Sequence, residues 1–360
     1  MDTHSSAAVA LSGGVDSAVA AALLKAAGWE VYGVHFLLSA NSPRREARIR
    51  HIARKIGIPL EIVDLRERFG EEVVRPFCDG YLRGETPNPC VRCNQRIKFK
   101  GLYRYIKERN IAYLATGHYV RLDRDVRSEG TGLLRGLDSG KDQSYFLQRL
   151  DRDSLAGAVF PLGQLTKEAV RQMAVKEGLP YHSRPESQEI CFVSGMDYRD
   201  FVEENRGRAI RSKGDIVNAD GMVLGEHEGV YRYTIGQRHG LGIASARPYY
   251  VKELRPDTNQ VVVGRREALF SRMVCASDFS WIQGAPSETP TRMVAQVRYR
   301  HRPAPGVLEI RSSDRVRFIF DTPQWAVTPG QALACYDGER LVGGGWITEA
   351  GSSTLKAERC

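Results

Sequence analysis

The sequence has no uninterrupted apolar run that approaches the roughly 18 residues of a membrane span. We therefore predict that the protein has no membrane contact. The first six residues contain neither a basic start nor a long apolar core, so we expect no secretory signal peptide. Seven cysteines, an odd number, are spread unevenly over 360 residues, which does not suit a disulfide framework. Together these absences predict a cytoplasmic protein whose thiols are available for chemistry.

The Gly-x-x-x-x-Gly-Lys-Ser/Thr pattern of γ-phosphate-transferring enzymes is also absent. The first strand-to-helix junction carries a different glycine loop, Ser12-Gly13-Gly14-Val15-Asp16-Ser17. Glycine permits a positive φ and the close approach of a phosphate, and a helix N-terminus attracts an anion. We expect Asp16 to hold Mg²⁺ against the phosphates. The loop resembles the pyrophosphate loop of enzymes that cleave ATP between its α- and β-phosphates, so we predict an adenylating enzyme.

The two halves of the chain differ in periodicity. The first half alternates predicted strands (7–11, 30–38, 60–64 and 111–116) with predicted helices (17–27, 44–55, 95–109 and 167–177), which indicates an α/β domain with a doubly wound parallel sheet. Short alternating runs between turn residues follow from about residue 206 and predict β structure. We predict an ATP-binding catalytic domain at 1–205, a small central β domain at 206–268 and a barrel-like β domain at 269–360.

Two separated cysteines stand out from the rest. Prolines on either side of Asn88 favour an extended segment, and Cys93 is then expected to lie where the next helix begins. A helix N-terminus and the neighbouring Arg92 and Arg96 favour a thiolate at Cys93. The second cysteine, Cys191, follows about a hundred residues later.

The order of these motifs resembles the bacterial tRNA-specific 2-thiouridylases over nearly the whole chain. The matching segments are 12–17, 86–99, 115–120, 133–138, 141–147, 190–192, 233–238, 297–300 and 327–331. The resemblance implies an N-terminal domain similar to the adenine nucleotide alpha hydrolases. It also implies an ATP-dependent sulfurtransferase that makes 2-thiouridine at the wobble position of tRNA.

The same resemblance implies roles for individual residues. The ATP site would consist of Ala10, Leu11, Ser12, Gly13, Gly14, Val15, Asp16, Ser17, Phe36 and Gly117. The nucleophile would be Cys93, and the persulfide carrier would be Cys191. The target base would contact Asn88, Pro89 and Cys90. Further tRNA contacts would come from His118, Lys141, Asp142, Gln143, Arg298, Tyr299 and Gln331.

The sulfur chemistry has three readings at this point. In a persulfide relay, Cys93 attacks the persulfide of Cys191, releases its outer sulfur and closes a disulfide bond. Alternatively, a [4Fe–4S] cluster is held by Cys90, Cys93 and Cys191; many family members carry aspartate at position 90. A structural zinc site completed by Cys78 is the third reading.

The charge of the chain points to a polyanionic partner. The formal net charge is +9, and residues 292–317 contain seven arginines against two acidic residues. An anticodon loop offers bases that are already nearly unstacked, so we predict tRNA as one partner and a sulfur-donor protein or persulfide carrier as another. Two other functions stay open: another adenylating pyrophosphate-loop enzyme, such as one that amidates a carboxylate, or a non-catalytic RNA-binding protein.

Overall fold

The computed structural model describes residues 5–39, 42–123, 130–180, 190–193, 195–287 and 289–351. No helix within these ranges is both long enough and apolar enough to cross a membrane. The α-helices are α1 (Val15–Ala26), α2 (Pro43–Ile56), α3 (Arg66–Phe69), α4 (Arg75–Leu82), α5 (Pro89–Cys93), α6 (Lys100–Arg109), α7 (Arg152–Ala156), α8 (Lys167–Lys176) and α9 (Tyr198–Arg206).

A parallel sheet forms the centre of the N-terminal part. The strands of this part are β1 (Ser6–Ala10), β2 (Glu30–Leu37), β3 (Leu60–Asp64), β4 (Tyr113–Ala115), β5 (Val120–Asp123), β6 (Gly132–Arg135) and β7 (Ala158–Val159). Five of the described strands pair in parallel in the order β3-β2-β1-β4-β7. The chain reverses its direction of winding between β1 and β4, and the loops that follow these two strands therefore open into one crevice.

Both faces of this sheet are covered, as a doubly wound sheet requires. Ala7 and Val9 of β1 are in the hydrophobic cluster that includes Leu24 of α1, whereas Ala8 is in the cluster that includes Leu102 of α6. The alternation follows from the two-residue period of a strand. The predicted α/β architecture is confirmed, and each of the four predicted strands overlaps an observed one.

Two helical stretches differ from the predictions. A π-helical turn, Gly70–Val74, joins α3 to α4, so that residues 66–82 form a helical stretch that the sequence analysis did not predict. A second π-helical turn, Asn94–Phe99, joins α5 to α6. Helical structure therefore begins at Pro89, and the prediction that Cys93 lies at a helix start is wrong. Proline is favoured at the first helical position, where its missing N–H costs nothing.

The second half of the chain is mainly β. A four-stranded sheet consists of β8 (Gly214–Val217), β9 (Val223–His227), β10 (Tyr250–Arg255) and β11 (Gln260–Gly264). The later strands are β12 (Phe270–Trp281), β13 (Thr291–Gln296), β14 (Ala304–Ile310), β15 (Val316–Trp325), β16 (Ala332–Asp337) and β17 (Arg340–Gly351). In the described part of the chain these six close into a barrel through the β12–β17 pairing, which confirms the expectation of a barrel-like domain.

One hairpin crosses from the first half into the barrel sheet. Strands β5 and β6 pair with each other, and β6 pairs with β17 at Leu134↔Arg340 and Leu133↔Leu341. The β12 pairing of the same strand ends at Gly343. The hairpin therefore continues the sheet at the point where β12 leaves it, and it ties the crevice side of the parallel sheet to the barrel.

Candidate functional site

The glycine loop after β1 leaves backbone N–H groups available to an anion. Gly13 has a φ of +81°, and a Cβ there would lie 2.9 Å from Ile49 Cγ1, so that glycine is required. Gly14 precedes α1 without a side-chain cap, which leaves the first-turn N–H groups unsatisfied. Ser17 Oγ donates to the Gly14 carbonyl at 3.0 Å, and the Gly14 N–H donates to Ser12 Oγ at 3.3 Å. These bonds fix the loop in a shape that suits phosphate.

The end of β4 approaches the same loop from the other side of the crevice. A Cβ on Gly117 would lie 2.8 Å from both the carbonyl carbon of Asp16 and the amide nitrogen of Ser17. Backbone atoms cannot move away as a flexible side chain can. Glycine at 117 therefore lets the two sides of the crevice meet at the start of α1.

Asp16 is held by two residues that the sequence analysis did not assign. Tyr119 Oη donates to Asp16 Oδ1 at 2.7 Å, and Lys167 Nζ donates to the two carboxylate oxygens at 2.7 and 2.8 Å. Lys167 is only 5 % exposed and is the first residue of α8. A cation at a helix N-terminus is disfavoured by the helix dipole, and that unusual placement was the available sequence signal.

A small cavity of about 110 Å³ lies at the end of β2. Phe36, His35 and Cys191 line it together with Arg45, whose Nε donates to the Ser12 carbonyl at 3.4 Å. His35 Nδ1 lies 2.8 Å from the carbonyl oxygen of residue 11, and burial lowers the pKa of the imidazole. The cavity therefore brings the second cysteine of the sequence analysis beside the glycine loop. His35, to which sequence reasoning gave no role, forms part of its wall.

Cys93 is buried rather than exposed at a helix end. Its side chain is 7 % exposed and belongs to a cluster with Phe69, Val73 and Ile97. Burial raises the pKa of the thiol to about 12; nearby Cys90 and Cys191 raise it as well, whereas the Lys98 ammonium lowers it. The expectation of a favoured thiolate is therefore wrong for this conformation. Cys90 and Cys191 are exposed.

The three thiols share one region but do not form a metal site in this conformation. Within the described ranges, no three His, Cys, Asp or Glu side chains are grouped closely enough to hold a metal ion. Cys90, Cys93 and Cys191 thus do not fit a preformed [4Fe–4S] cluster. Cys78, which is buried beside Phe77 and Tyr81, does not complete a zinc site with them either.

The segment predicted to contact the target base is fixed by the barrel. Asn88 Oδ1 accepts the Val91 N–H at 3.4 Å and so caps α5. Gln331 Nε2 donates to the Thr86 carbonyl at 2.8 Å, and the Thr86 N–H donates to the Pro329 carbonyl at 2.8 Å. The loop before β16 thereby holds the residues that lead into α5.

Two of the predicted tRNA contacts make bonds within the protein. Asp142 accepts hydrogen bonds from Arg135 Nη1 at 3.0 Å and from the Ser144 N–H and Oγ at 3.0 and 2.9 Å. Gln143 Oε1 accepts the Tyr119 N–H at 3.1 Å. These side chains brace the crevice, so that an effect of their substitution on tRNA binding can be indirect.

Arg298 and Tyr299 also have internal partners. Arg298 Nη2 donates to the Ala326 carbonyl at 2.7 Å and to Thr328 Oγ1. The rings of Tyr299 and Phe146 lie 4.3 Å apart between centroids. Arg298 therefore bonds within the barrel domain, whereas Tyr299 packs against a residue of the N-terminal domain.

His118 and Lys141 complete the set of predicted tRNA contacts. His118 Nδ1 lies 2.8 Å from Thr116 Oγ1, and burial, with a smaller effect of Lys98, lowers the pKa of the imidazole to about 3. The ring is therefore neutral at physiological pH. The N–H of Lys141 donates to the Asp138 carbonyl at 2.9 Å, and its side chain is partly exposed.

The arginine-rich stretch of the barrel is only partly available to a ligand. Arg292 forms a two-bond pair with Asp321 at 2.8 Å, and Arg317 Nε donates to Glu309 at 2.7 Å. Five arginines of this stretch are exposed, and two of them, Arg292 and Arg311, are paired with Asp321 and Glu309; the other three are Arg300, Arg302 and Arg315.

Comparison with known proteins agrees with this three-part layout. Models described as a tRNA methyl transferase HUP domain, a tRNA methyl transferase PRC-barrel domain and an aminomethyltransferase beta-barrel domain match residues 5–195, 199–265 and 271–347. One solved structure, a 4-thiouridine synthetase–RNA complex with bound ATP, is 17% identical with a TM-score of 0.36. It covers 56% of this chain, which covers 50% of it.

Curated relatives match almost end to end. The tRNA-specific 2-thiouridylase MnmA of Geobacter metallireducens is 45% identical over 95% of this chain and 96% of its own length. The protein of the same name from Carboxydothermus hydrogenoformans is 44% identical, over 94% of this chain and 96% of its own. With identities of this size along nearly the full length, the chain belongs to the family of the tRNA-specific 2-thiouridylases.

Proposed function

We propose that this protein is an ATP-dependent tRNA 2-thiouridylase that adenylates the C2 oxygen of the wobble uridine and replaces it with sulfur. The observation that carries the proposal is the cavity in which Cys191 and Phe36 share a wall with Arg45, whose Nε donates to the Ser12 carbonyl of the glycine loop. A phosphate-binding loop alone would serve any adenylating enzyme. A sulfur carrier next to it suits an enzyme that substitutes sulfur for an activated oxygen.

ATP is proposed to bind along residues 10–17, with Phe36 and Gly117 flanking its site. The free N–H groups at the start of α1 suit the phosphates. Asp16 supplies the kind of ligand that Mg²⁺ prefers, and the ion would compete with the Lys167 ammonium for it. Bound Mg²⁺ would neutralise charge on the pyrophosphate as it leaves.

The sulfur step that these residues support is the persulfide relay. Adenylation of the C2 oxygen releases pyrophosphate and makes AMP a leaving group. The Cys93 thiolate attacks the inner sulfur of the Cys191 persulfide, which forms a Cys93–Cys191 disulfide and releases the outer sulfur as hydrosulfide. Hydrosulfide then adds to C2 and AMP departs. A thiol reductant must reopen the disulfide before the next turnover.

The partners follow from the same arrangement. Exposed Cys191 can receive sulfur from a donor protein or another persulfide carrier, whereas buried Cys93 cannot be reached in this conformation. The anticodon loop of tRNA is proposed to meet Asn88, Pro89 and Cys90 at the start of α5. No step is assigned to an iron–sulfur cluster, because the three thiols do not fit one here.

Purified protein, tRNA transcript, Mg-ATP and a persulfide donor provide the test. We expect pyrophosphate release that depends on tRNA and 2-thiouridine in the digested product by mass spectrometry. Pyrophosphate release with a carboxylate in place of tRNA would favour an amidating enzyme, and tRNA binding without pyrophosphate release would favour a non-catalytic protein.

Cys90→Ser distinguishes the sulfur mechanisms. Iron-free protein with this substitution should retain substantial thiolation in the relay, whereas Cys93→Ser and Cys191→Ser should each abolish it. If activity needs anaerobic reconstitution with iron and Cys90→Ser loses iron and activity together, the relay is wrong.

A further inference from the structure

A second cavity, of about 300 Å³, lies between the N-terminal domain and the barrel. Arg83, Asn88 and Arg92 line it on one side, and Pro329 and Trp346 line it on the other. Its volume is at the lower end of the range for small-ligand sites. A single nucleobase fits such a space, whereas a protein helix does not.

The charge around this cavity is not balanced within the protein. Arg149 pairs with Asp278 at 2.7 Å and Arg83 pairs with Glu85 at 2.8 Å. Arg92, which lies among these arginines and Arg96, donates no hydrogen bond within the described part of the chain. Burial lowers the pKa of the Arg92 guanidinium and the neighbouring arginines lower it further, whereas the Asp278 carboxylate, which is already paired with Arg149, raises it. Because both nearby carboxylates, Glu85 and Asp278, are paired with other arginines, the partly buried Arg92 guanidinium has no acceptor of its own among the described residues and suits an anion.

Trp346 provides an aromatic surface at the same place. Cζ of Arg92 lies 5.5 Å from the centroid of its ring, and Cζ of Arg149 lies 5.7 Å from it. The ring is partly exposed and lines the cavity. An indole next to an arginine suits a stacked base with its phosphate close by.

We propose that this cavity binds one nucleotide adjacent to the target uridine, with its phosphate on Arg92 and its base against Trp346. The inference rests on the proposed function, since Asn88 and Cys90, which are proposed to meet the target base, precede Arg92 by only four and two residues. Residues this close in sequence can contact two consecutive nucleotides of one RNA chain. The barrel thus contributes to recognition of the anticodon loop through Trp346.

Binding of a synthetic anticodon stem-loop to the full chain tests the proposal. Arg92→Gln should weaken binding and reduce the slope of log affinity against log salt by about one, as expected for one lost phosphate contact. Arg92→Lys should restore most of the slope. Arg104→Gln removes the same charge from an exposed position on α6 and should leave affinity and slope unchanged.

Stem-loops with an abasic nucleotide on one or the other side of the target uridine test the base contact. One of the two should bind the wild type on the order of tenfold more weakly. The same lesion should cost less in Trp346→Leu, because the stacking partner is already missing. Melting temperature and ATP binding of each variant control for folding.

Two results would overturn the inference while the proposed function stands. The first is that the wild type thiolates the unmodified stem-loop, while Arg92→Gln binds it with unchanged affinity and unchanged salt slope. The second is a loss of thiolation in Arg92→Gln with a protein sulfur donor but not with inorganic sulfide, which would assign the cavity to the donor. Failure of the wild type to thiolate any tRNA would instead refute the proposed function.

Discussion

The carboxylate oxygens of Asp16 bind partners within the protein and are the same atoms that are proposed to bind Mg²⁺. Its carboxylate already neutralises the buried Lys167 ammonium and accepts the Tyr119 hydroxyl. Arrival of Mg²⁺ with ATP would exchange one cation for another. The freed ammonium would then lie beside the phosphates, where a positive charge is favourable.

We predict that Asp16→Asn lowers tRNA-dependent ATP–pyrophosphate exchange by about 10²- to 10³-fold, the cost of losing a group that stabilises developing charge. Binding of tRNA, measured by filter retention, should stay intact. The double variant Asp16→Asn/Lys167→Met should recover thermal stability, because it leaves no unpaired buried ammonium. If the double variant also recovers exchange, Asp16 acts only by neutralising Lys167.

The pKa of Cys93 gives a pH prediction with a definite sign. A thiol with a pKa of about 12 is almost wholly protonated at neutral pH, and its thiolate fraction rises about tenfold per pH unit below that value. The single-turnover rate of sulfide release from persulfidated protein should rise accordingly from pH 7 to pH 9. Lys98→Gln should slow release at each pH, because that ammonium lowers the pKa; exposed Lys107→Gln is the control. A flat profile would mean that Cys93 is not the attacking group in this conformation.

For single residues, the sequence predicted which side chains matter better than it predicted their burial and their bonding partners. The glycine loop followed from local backbone chemistry, which requires few distant contacts. The burial of Cys93 depends on Phe69 and Val73, which belong to a helical stretch that the sequence analysis did not predict. Likewise, the resemblance implied a tRNA contact at Arg298, and nothing in the local sequence indicates that Ala326 and Thr328 are its partners.

Among the secondary-structure elements, the end of β4 and the start of α1 approach each other closely at Gly117. Gly117→Ala would force these elements apart, since the added Cβ meets backbone atoms at 2.8 Å. We expect a loss of about 1–3 kcal/mol in the free energy of unfolding, typical of overpacking, and weaker ATP binding by calorimetry.

Gly225→Ala is the matched control, because a Cβ there has no atom within 4 Å. Its unfolding free energy should change by no more than about 0.5 kcal/mol. Equal urea denaturation curves for Gly117→Ala and the wild type would mean that β4 and α1 can separate freely.

Element boundaries followed from the sequence wherever periodicity and caps agreed. Helix α8 begins at the predicted Lys167, and the Thr166 side chain just before it accepts the Ala169 N–H at 3.2 Å. Residues 66–82 were missed because π-helical turns shift the register of the apolar face and so obscure the 3.6-residue period.

For the whole molecule, the structure separates two neighbouring arginines of the arginine-rich stretch at 292–317. Arg298→Ala removes a half-buried donor to the Ala326 carbonyl and the Thr328 hydroxyl, and it should cost about 1–3 kcal/mol of stability while leaving the salt slope of tRNA binding unchanged. Exposed Arg300→Ala should reduce that slope by about one at unchanged melting temperature. Thermal denaturation and a salt titration of both variants test this difference. The reverse pattern would make Arg298 the phosphate contact and Arg300 the stabilising residue.

The β5–β6 hairpin limits how this enzyme can be divided or recombined. A catalytic fragment that ends before the barrel would keep the hairpin but lose β17, the strand on which β6 is paired. The orphaned edge would then be open to pairing with other copies. Chimeras that exchange barrels between relatives should therefore transfer residues 120–135 together with the barrel. The strand pairing, and not the order of the domains along the chain, defines the unit that can be exchanged without breaking a sheet.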